Sequence, residues 1–363
     1  LEKQILRKLT RPVFVGGVQV GGEAPVVVQS MTCTDTRDVK ATVAQIKDLE
    51  DAGCELVRVA VPNQEAVAAL EAIKKQIRVP LIADIHFNHR LALEAMKHGV
   101  DGIRINPGNI EIEKIRAVVR AAKSRDVAIR IGINAGSLDK ELFAKYGGPT
   151  PEALVESAMN NIALFEEQEF SAIKVSLKSS DVSDTIEAGR RFSAQSDYPL
   201  HLGVTEAGTL VNAAIKSAIG IGTLLSEGIG DTIRVSVTGD PVSEMGIAYG
   251  ILRALNIRKV GPDIIACPTC GRCEIDLCKL AQEVERQLAG KKDYLKIALM
   301  GCVVNGPGEA AEADIGIAGG RGSGMLFKKG RIVRKVKEED FVPVLIEEIR
   351  QMLIPYELKR GDE

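Results

Sequence analysis

The chain predicts an α/β fold, a (β/α)8 TIM barrel followed by a small α+β domain. Three observations carry this. Eight short Val- and Ile-rich runs alternate with helical stretches over about 250 residues, the count and size of such a barrel. The pattern changes after about residue 260, beyond Gly261-Pro262. Five of the seven cysteines fall after that point, between Cys267 and Cys302. At 363 residues the chain exceeds one ordinary core, and the expected domains are 1–260, with an N-terminal hairpin near Pro12–Glu23, and 264–363.

The eight runs are 26–31, 56–61, 80–85, 102–107, 128–133, 172–177, 199–204 and 232–237. Amphipathic segments such as Val39–Ala52 and Ile112–Ala122 lie between them. The alternative, an open doubly wound sheet, lacks the glycine fingerprint expected after its first strand. Asp51-Ala52-Gly53 and His98-Gly99-Val100 read as helix ends leading into strands. The segments just past the strands are polar and Gly-rich, among them 29–32, 106–109, 134–137 and 205–208, as catalytic-face loops should be.

Five strands carry a cation between two β-branched residues: Arg58, Arg104, Arg130, Lys174 and Arg234. Strand side chains alternate faces, so the apolar neighbours should meet the helices and the cations should point into the barrel. Asp84 occupies a similar place on the third strand, with His86 two residues on. Pairing with Asp84 and Glu206 would still leave about three cations without a counter-charge, each costing several kcal/mol if buried. The surplus calls for an anion, and a diphosphate fits its charge and the two-pronged donor geometry of arginine. His201 lies within a strand, whereas His89 and His98 read as surface residues of a helical stretch.

Charged residues make up 26% and apolar residues 45%, with a formal net charge of −2. That balance does not point to nucleic acid or an anionic membrane, and aromatics at 4% with no Trp disfavour base stacking. No run of 18 apolar residues is present, and the opening LEKQILRKLT lacks the apolar core of a signal peptide, so a cytoplasmic protein is expected.

The second domain opens on Cys267-Pro-Thr-Cys270-Gly-Arg-Cys273 and continues with a helix expected over Glu274–Leu288. A strand (294–301) leads to Cys302-Val-Val-Asn305-Gly306-Pro307-Gly308-Glu309. A second strand (313–320), a hairpin turning at Lys329-Gly330 and a last helix over Glu338–Leu353 complete it. Thiolates at this spacing suit an iron–sulfur cluster, a structural zinc site of four cysteines or free thiols, and the third ligand after Cys267 and Cys270 is either Cys273 or Cys302. Cys278 follows Cys273 after four residues rather than the three of a ferredoxin run.

The segment ACPTCGR, followed by GCVVNGPGEA, resembles the 4-hydroxy-3-methylbut-2-enyl diphosphate synthase family. VQSMT, RVAVP, ADIHFNH, RINPGN, RIGINAGSL and GVTEAG extend the resemblance over the whole chain, in the compact bacterial two-domain form. The resemblance implies reductive ring opening and dehydration of 2-C-methyl-D-erythritol 2,4-cyclodiphosphate in isoprenoid precursor biosynthesis. Two electrons would arrive from flavodoxin or ferredoxin through a [4Fe-4S] cluster, in a head-to-tail homodimer. It implies Cys267, Cys270, Cys302 and Glu309 as cluster ligands, which displaces Cys273. It makes Arg58, Arg104, Arg130, Lys174 and Arg234 candidate diphosphate ligands, helped by Asn106, Asn134 and Ser236. Asp84, His86 and Glu206 become candidates for hydroxyl contacts or proton transfer, Glu206 first. Two rivals stand beside this reading. One is a barrel aldolase or isomerase with a zinc domain, using Lys174 or Lys178; the other is a non-catalytic iron–sulfur sensor, which would not need the cations.

Overall fold

A computed structural model describes residues 5–85, 88–107, 110–302, 308 and 311–353. The chain divides into two compact units, Leu1–Arg258 and Lys259–Glu363.

The first unit begins with the hairpin β1 (Val13–Val15) and β2 (Val18–Val20). The barrel follows as β3 (Val27–Met31), α1 (Val39–Asp51), β4 (Leu56–Ala60), α2 (Gln64–Lys74), β5 (Leu81–Asp84), α3 (His89–Lys97), β6 (Gly102–Ile105) and α4 (Ile112–Lys123). It continues through β7 (Ala128–Asn134), α5 (Lys140–Tyr146), α6 (Pro151–Glu166), β8 (Ile173–Lys178), α7 (Val182–Gln195), β9 (His201–Leu202), α8 (Leu210–Ser226), β10 (Thr232–Ile233) and α9 (Val242–Ala254). Strand order is β8-β7-β6-β5-β4-β3-β10-β9, all parallel, and a bridge between Val175 and Leu200 closes the ring. All eight expected strands are present.

Local chemistry explains the boundaries. Side chains of Asp38, Asn63, Asn88, Asp139, Thr150 and Asp181 each accept a backbone N–H in the first turn of the helix that follows. Gly53 and Gly99 take the left-handed φ values, +100° and +79°, that end α1 and α3. The hairpin valines Val13, Val15 and Val20 pack on Val27, Leu56, Ile82 and Ala128, sealing one end of the barrel with apolar side chains. β9 and β10 are shorter than their apolar runs because the ladder turns irregular at Gly203, although Arg234 still donates to the carbonyl of Leu202 at 3.0 Å.

The second unit is a five-stranded sheet ordered β11 (Pro262–Ala266), β12 (Leu295–Met300), β13 (Ile315–Gly320), β14 (Ser323–Lys328) and β15 (Arg331–Lys337). The first three strands are parallel and the rest antiparallel. Helices α10 (Leu277–Leu288) and α11 (Phe341–Leu353) bury Leu280, Val284, Leu345 and Ile349 on one face of it. Three expectations shift here. The residues between the expected domains, 261–263, are not a separate connection: Pro262 opens an edge strand, where its missing N–H costs no ladder bond. The helix expected from Glu274 starts at Leu277, since the Glu274 N–H donates to the Gly301 carbonyl at 3.0 Å and Asp276 caps the helix. The last helix starts at Phe341 after a single 3-10 turn, Glu338–Asp340. Lys329 and Gly330, at φ +46° and +72°, make the expected hairpin turn.

Among the described residues no helix is long and apolar enough to cross a membrane.

Candidate active site

The barrel strands place their cations side by side. Asp84 is in register with Arg104, Arg104 with Arg130 and Arg130 with Lys174, so four neighbouring strands present Asp-Arg-Arg-Lys at one level. Two residues further along β7 and β8, Gly132 stands opposite Ser176, and two further again Asn134 stands opposite Lys178. Above this level lies a cavity of about 100 Å³, lined by Arg58, Asp84, Arg104, Arg130, Asn134, Ser176, Lys178, Thr205, Arg234 and Ser236. Seven of these ten are expected site residues. Of the other three, the sequence places Thr205 in a mouth loop, Ser176 within the run 172–177 and Lys178 in a rival mechanism.

The charges do not balance. Among the described residues, six cations (Arg58, Arg104, Arg130, Lys174, Lys178 and Arg234) stand against two carboxylates, Asp84 and Glu244. Asp84 lies 3.5 Å from Arg58 and 3.3 Å from Arg104. Glu244, in the first turn of α9 and 1% exposed, pairs with Arg234 at 3.1 Å and accepts from Ser30 Oγ at 2.7 Å. The second neutralising carboxylate is therefore Glu244 and not Glu206. Glu206 is exposed, holds a left-handed φ of +52° and does not line the cavity. Strand alternation gives no cue to Glu244, because it lies ten residues after Arg234 in the first turn of the following helix, outside any strand.

Burial and mutual repulsion act on these groups together. Burial, then Arg130 and Arg58, push the Lys174 ammonium down to about 7. Lys178 is pushed well down by burial and by Arg130, Arg58, Arg234 and Arg104. Arg58 falls to about 10, burial outweighing the help of Asp84. Arg130 Nε and Nη1 and Arg234 Nε are buried without a hydrogen-bond partner. Unmet donors of this kind cost roughly 1–3 kcal/mol each, more when charged, and an anion in the cavity would remove that cost.

Two glycines make the cation lining possible. A Cβ on Gly132 would collide with the guanidinium of Arg104, coming within 2.9 Å of Nη2, and one on Gly203 would lie 2.7 Å from Lys178 Nζ. Gly132→Ala is therefore expected to displace Arg104, weakening inorganic diphosphate binding by about tenfold or more while costing the fold about 1–3 kcal/mol. Isothermal titration beside thermal melting checks this, and unchanged affinity would refute it.

The remaining barrel candidates are spread around the lining. Asn106, 1% exposed, donates to Ser137 Oγ at 2.6 Å. Asn134 accepts from Arg104 Nη2 at 3.1 Å in the amide orientation that satisfies both its ends. His201 is buried, with Nδ1 2.6 Å from Thr232 Oγ1. His89 opens α3 and His98 follows its end. His86 lies outside the described residues.

In the second unit, β11 and β12 run parallel and deliver Cys267 and Cys302 at the same edge of the sheet. Gly301 N–H donates to Cys267 Sγ at 3.2 Å. The Cys270–Cys273 turn is held by Cys273 N–H on the Cys270 carbonyl at 2.9 Å. Cys273 instead packs on Gly301 and donates to the Ile275 carbonyl at 3.3 Å, while Cys278 is exposed on α10. None of the seven cysteines is in a disulfide. Among the described residues no three His, Cys, Asp or Glu side chains converge as a single metal ion would require. Glu309 lies outside the described residues.

Fold and site together define a barrel protein with an anion-seeking interior, joined to a thiol-bearing α+β unit. The GcpE TIM-barrel domain profile matches residues 10–249, and the GcpE protein C-terminal domain profile matches 263–351. The chain belongs to the GcpE family. It is 58% identical over 361 residues to a protein of Nitratidesulfovibrio vulgaris, covering 99% of this chain and 94% of that one. It is 59% identical over 348 residues to one of Thermodesulfovibrio yellowstonii, covering 96% and 100%. Both relatives are named 4-hydroxy-3-methylbut-2-en-1-yl diphosphate synthase (flavodoxin).

Proposed function

We propose that this GcpE-family chain is an oxidoreductase that opens 2-C-methyl-D-erythritol 2,4-cyclodiphosphate reductively and removes water to give (E)-4-hydroxy-3-methylbut-2-enyl diphosphate. The observation that carries this reading is the barrel interior, where five cations (Arg58, Arg104, Arg130, Lys178 and Arg234) line one cavity and, among the described residues, only Asp84 and Glu244 are paired against them. A cyclic diphosphate supplies the missing negative charge, and its oxygens suit the forked donors of Arg58, Arg104, Arg130 and Arg234. Lys178 and Ser176 add donors from β8, and Ser236 adds one from the segment that carries Arg234. Asp84, shared between Arg58 and Arg104, orients both guanidinium groups toward the cavity. Asn106 and Asn134 brace the wall through Ser137 and Arg104.

Cys267, Cys270, Cys302 and Glu309 would hold a [4Fe-4S] cluster. The thiols fit it: they are outside any disulfide, two of them end adjacent parallel strands, and one already accepts a backbone N–H. Such a cluster would supply single electrons, and a carboxylate among its ligands would be held less firmly than the thiolates. The electrons come from reduced flavodoxin, the donor printed in the names of the relatives, with ferredoxin as the alternative donor. The protein works as a homodimer in the cytoplasm.

Loss of a hydroxyl as water needs a proton donor nearby. His86 and Asp84 belong to the candidate set, but Asp84 already balances two arginines. Glu206 sits on the loop between β9 and α8, next to the lining residue Thr205, and is unencumbered by such a pair. Anaerobic turnover of the cyclodiphosphate with reduced flavodoxin tests the reading. Glu206→Gln is expected to lower kcat by about 100-fold or more, with substrate affinity and iron content retained. Turnover equal to wild type would exclude Glu206, and no product from the wild type would overturn the function.

A further inference from the structure

Between the apolar plug and the cavity lies a polar layer that the reading above leaves unused. Lys174 on β8 is 2% exposed, its Nζ has no hydrogen-bond partner, and it is not among the cavity-lining residues. Gln29 on β3 is 0% exposed with neither amide atom partnered. His201 Nε2 is likewise buried without a partner. The charged and titratable groups facing Lys174 are Arg130 from β7, Arg58 from β4 and His201 from β9. The two nearby carboxylates are engaged elsewhere, Asp84 with Arg58 and Arg104, Glu244 with Arg234 and Ser30. A charged ammonium there has arginines around it and, among the described residues, no carboxylate to balance it.

From this arrangement, and resting on the anion-binding reading of the cavity, we propose that Lys174 is a proton-coupled counter-charge beneath the bound anion rather than one of its ligands. At a pH above its free value it is neutral in the empty barrel, and there it takes up one proton when a multiply charged anion enters above. The depressed basicity of Lys174, at about 7, agrees with this. His201, pushed well down by burial and by Arg130, stays neutral throughout and takes no part in the uptake. Arginine keeps its proton, so the exchangeable positions are the two lysines, Lys174 and Lys178.

The sign follows from linkage. An anion raises the basicity of Lys174, so between its free and bound values binding consumes a proton and affinity falls as pH rises. Below the free value the lysine is already charged, and affinity levels off.

Sulfate is the probe, because it stays fully ionised from about pH 6 to 9 and any proton taken up belongs to the protein. Titration calorimetry in two buffers of different ionisation enthalpy, on the full chain, gives the proton count. At about pH 8 Lys174→Met is expected to take up about one proton fewer per sulfate than wild type, and at about pH 6 the difference should fall toward zero. The affinity advantage of wild type over Lys174→Met should widen as pH falls from about 9 to about 6, which a purely structural role would not produce. Lys174→Gln repeats the test with a polar side chain in case the methionine variant folds poorly. Equal proton uptake in wild type and both variants at about pH 8 overturns the inference about Lys174 and leaves the cavity reading intact. Failure of wild type to bind sulfate overturns the cavity reading and the inference with it.

Discussion

Arg130→Met is expected to raise the melting temperature of the empty protein and, at the same time, to remove most of its affinity for diphosphate. Arg130 is 2% exposed, lies in register between Arg104 and Lys174, and has Nε and Nη1 without partners. Burial and neighbouring Arg58 and Arg104 all act against its charge. In the empty barrel its charge is a liability, and an apolar side chain of similar length removes the repulsion and the unmet donors. Replacing buried ionic groups by well-packed apolar ones is often neutral or stabilising by about 1–4 kcal/mol. Each kcal/mol moves the midpoint by about 2–4 °C in a unit of this size. With the anion bound the same side chain changes sign, since truncating one partner of a buried charge pair costs about 2–5 kcal/mol, roughly 30- to 5,000-fold in affinity. Scanning calorimetry with and without inorganic diphosphate reads both effects. A variant that melts lower than wild type when empty, or that keeps its diphosphate-induced stabilisation, would show that Arg130 has a purely structural partner.

The second large effect concerns the thiols. Anaerobically purified Cys267→Ser and Cys302→Ser are expected to lose nearly all iron and sulfide, and Cys273→Ser to keep them. Cys267 and Cys302 follow adjacent parallel strands at one edge of the sheet, and Cys267 Sγ already accepts from Gly301 N–H. Cys273 packs on Gly301 and donates its S–H to the Ile275 carbonyl, so its contacts are those of a small core side chain. Serine in its place keeps the donor and most of the volume, at a cost of about 1 kcal/mol. Iron and sulfide analysis with electron paramagnetic resonance decides between the sets. If Cys273→Ser loses the cluster and Cys302→Ser keeps it, the ligand set built on Cys302 and Glu309 is wrong.

The architecture was legible because it rests on local repeats. Alternation along strands such as Ala128–Asn134 already separates Ile129, Ile131 and Ile133 from Arg130, and helix ends at Gly53 and Gly99 need a backbone conformation few other residues tolerate. The same alternation made legible the inward cations with too few carboxylates in their own strands. Less could be read where partners come from distant parts of the chain. Glu206 looked like the second counter-charge because it follows a barrel strand, yet Glu244 fills that place, brought by the first turn of α9 against Ser30 and Arg234.

The sequence by itself determined the eight-strand order of apolar runs, the cationic interior and the segregation of thiols into a second unit, since each depends on spacing along a single segment. Only the tertiary structure decided which cations share a cavity and which lie beneath it. Lys174 and Lys178 sit on the same face of β8, four residues apart, and alternation cannot tell them apart. Their different surroundings follow from how far along the barrel axis each one stands. Lys178 reaches the open cavity over the space left by Gly203, whereas Lys174 is held at the level of Arg130, closer to the apolar plug. Depth in a closed barrel sets solvent access and the distance to every other charge, and that depth exists only once all eight strands have met.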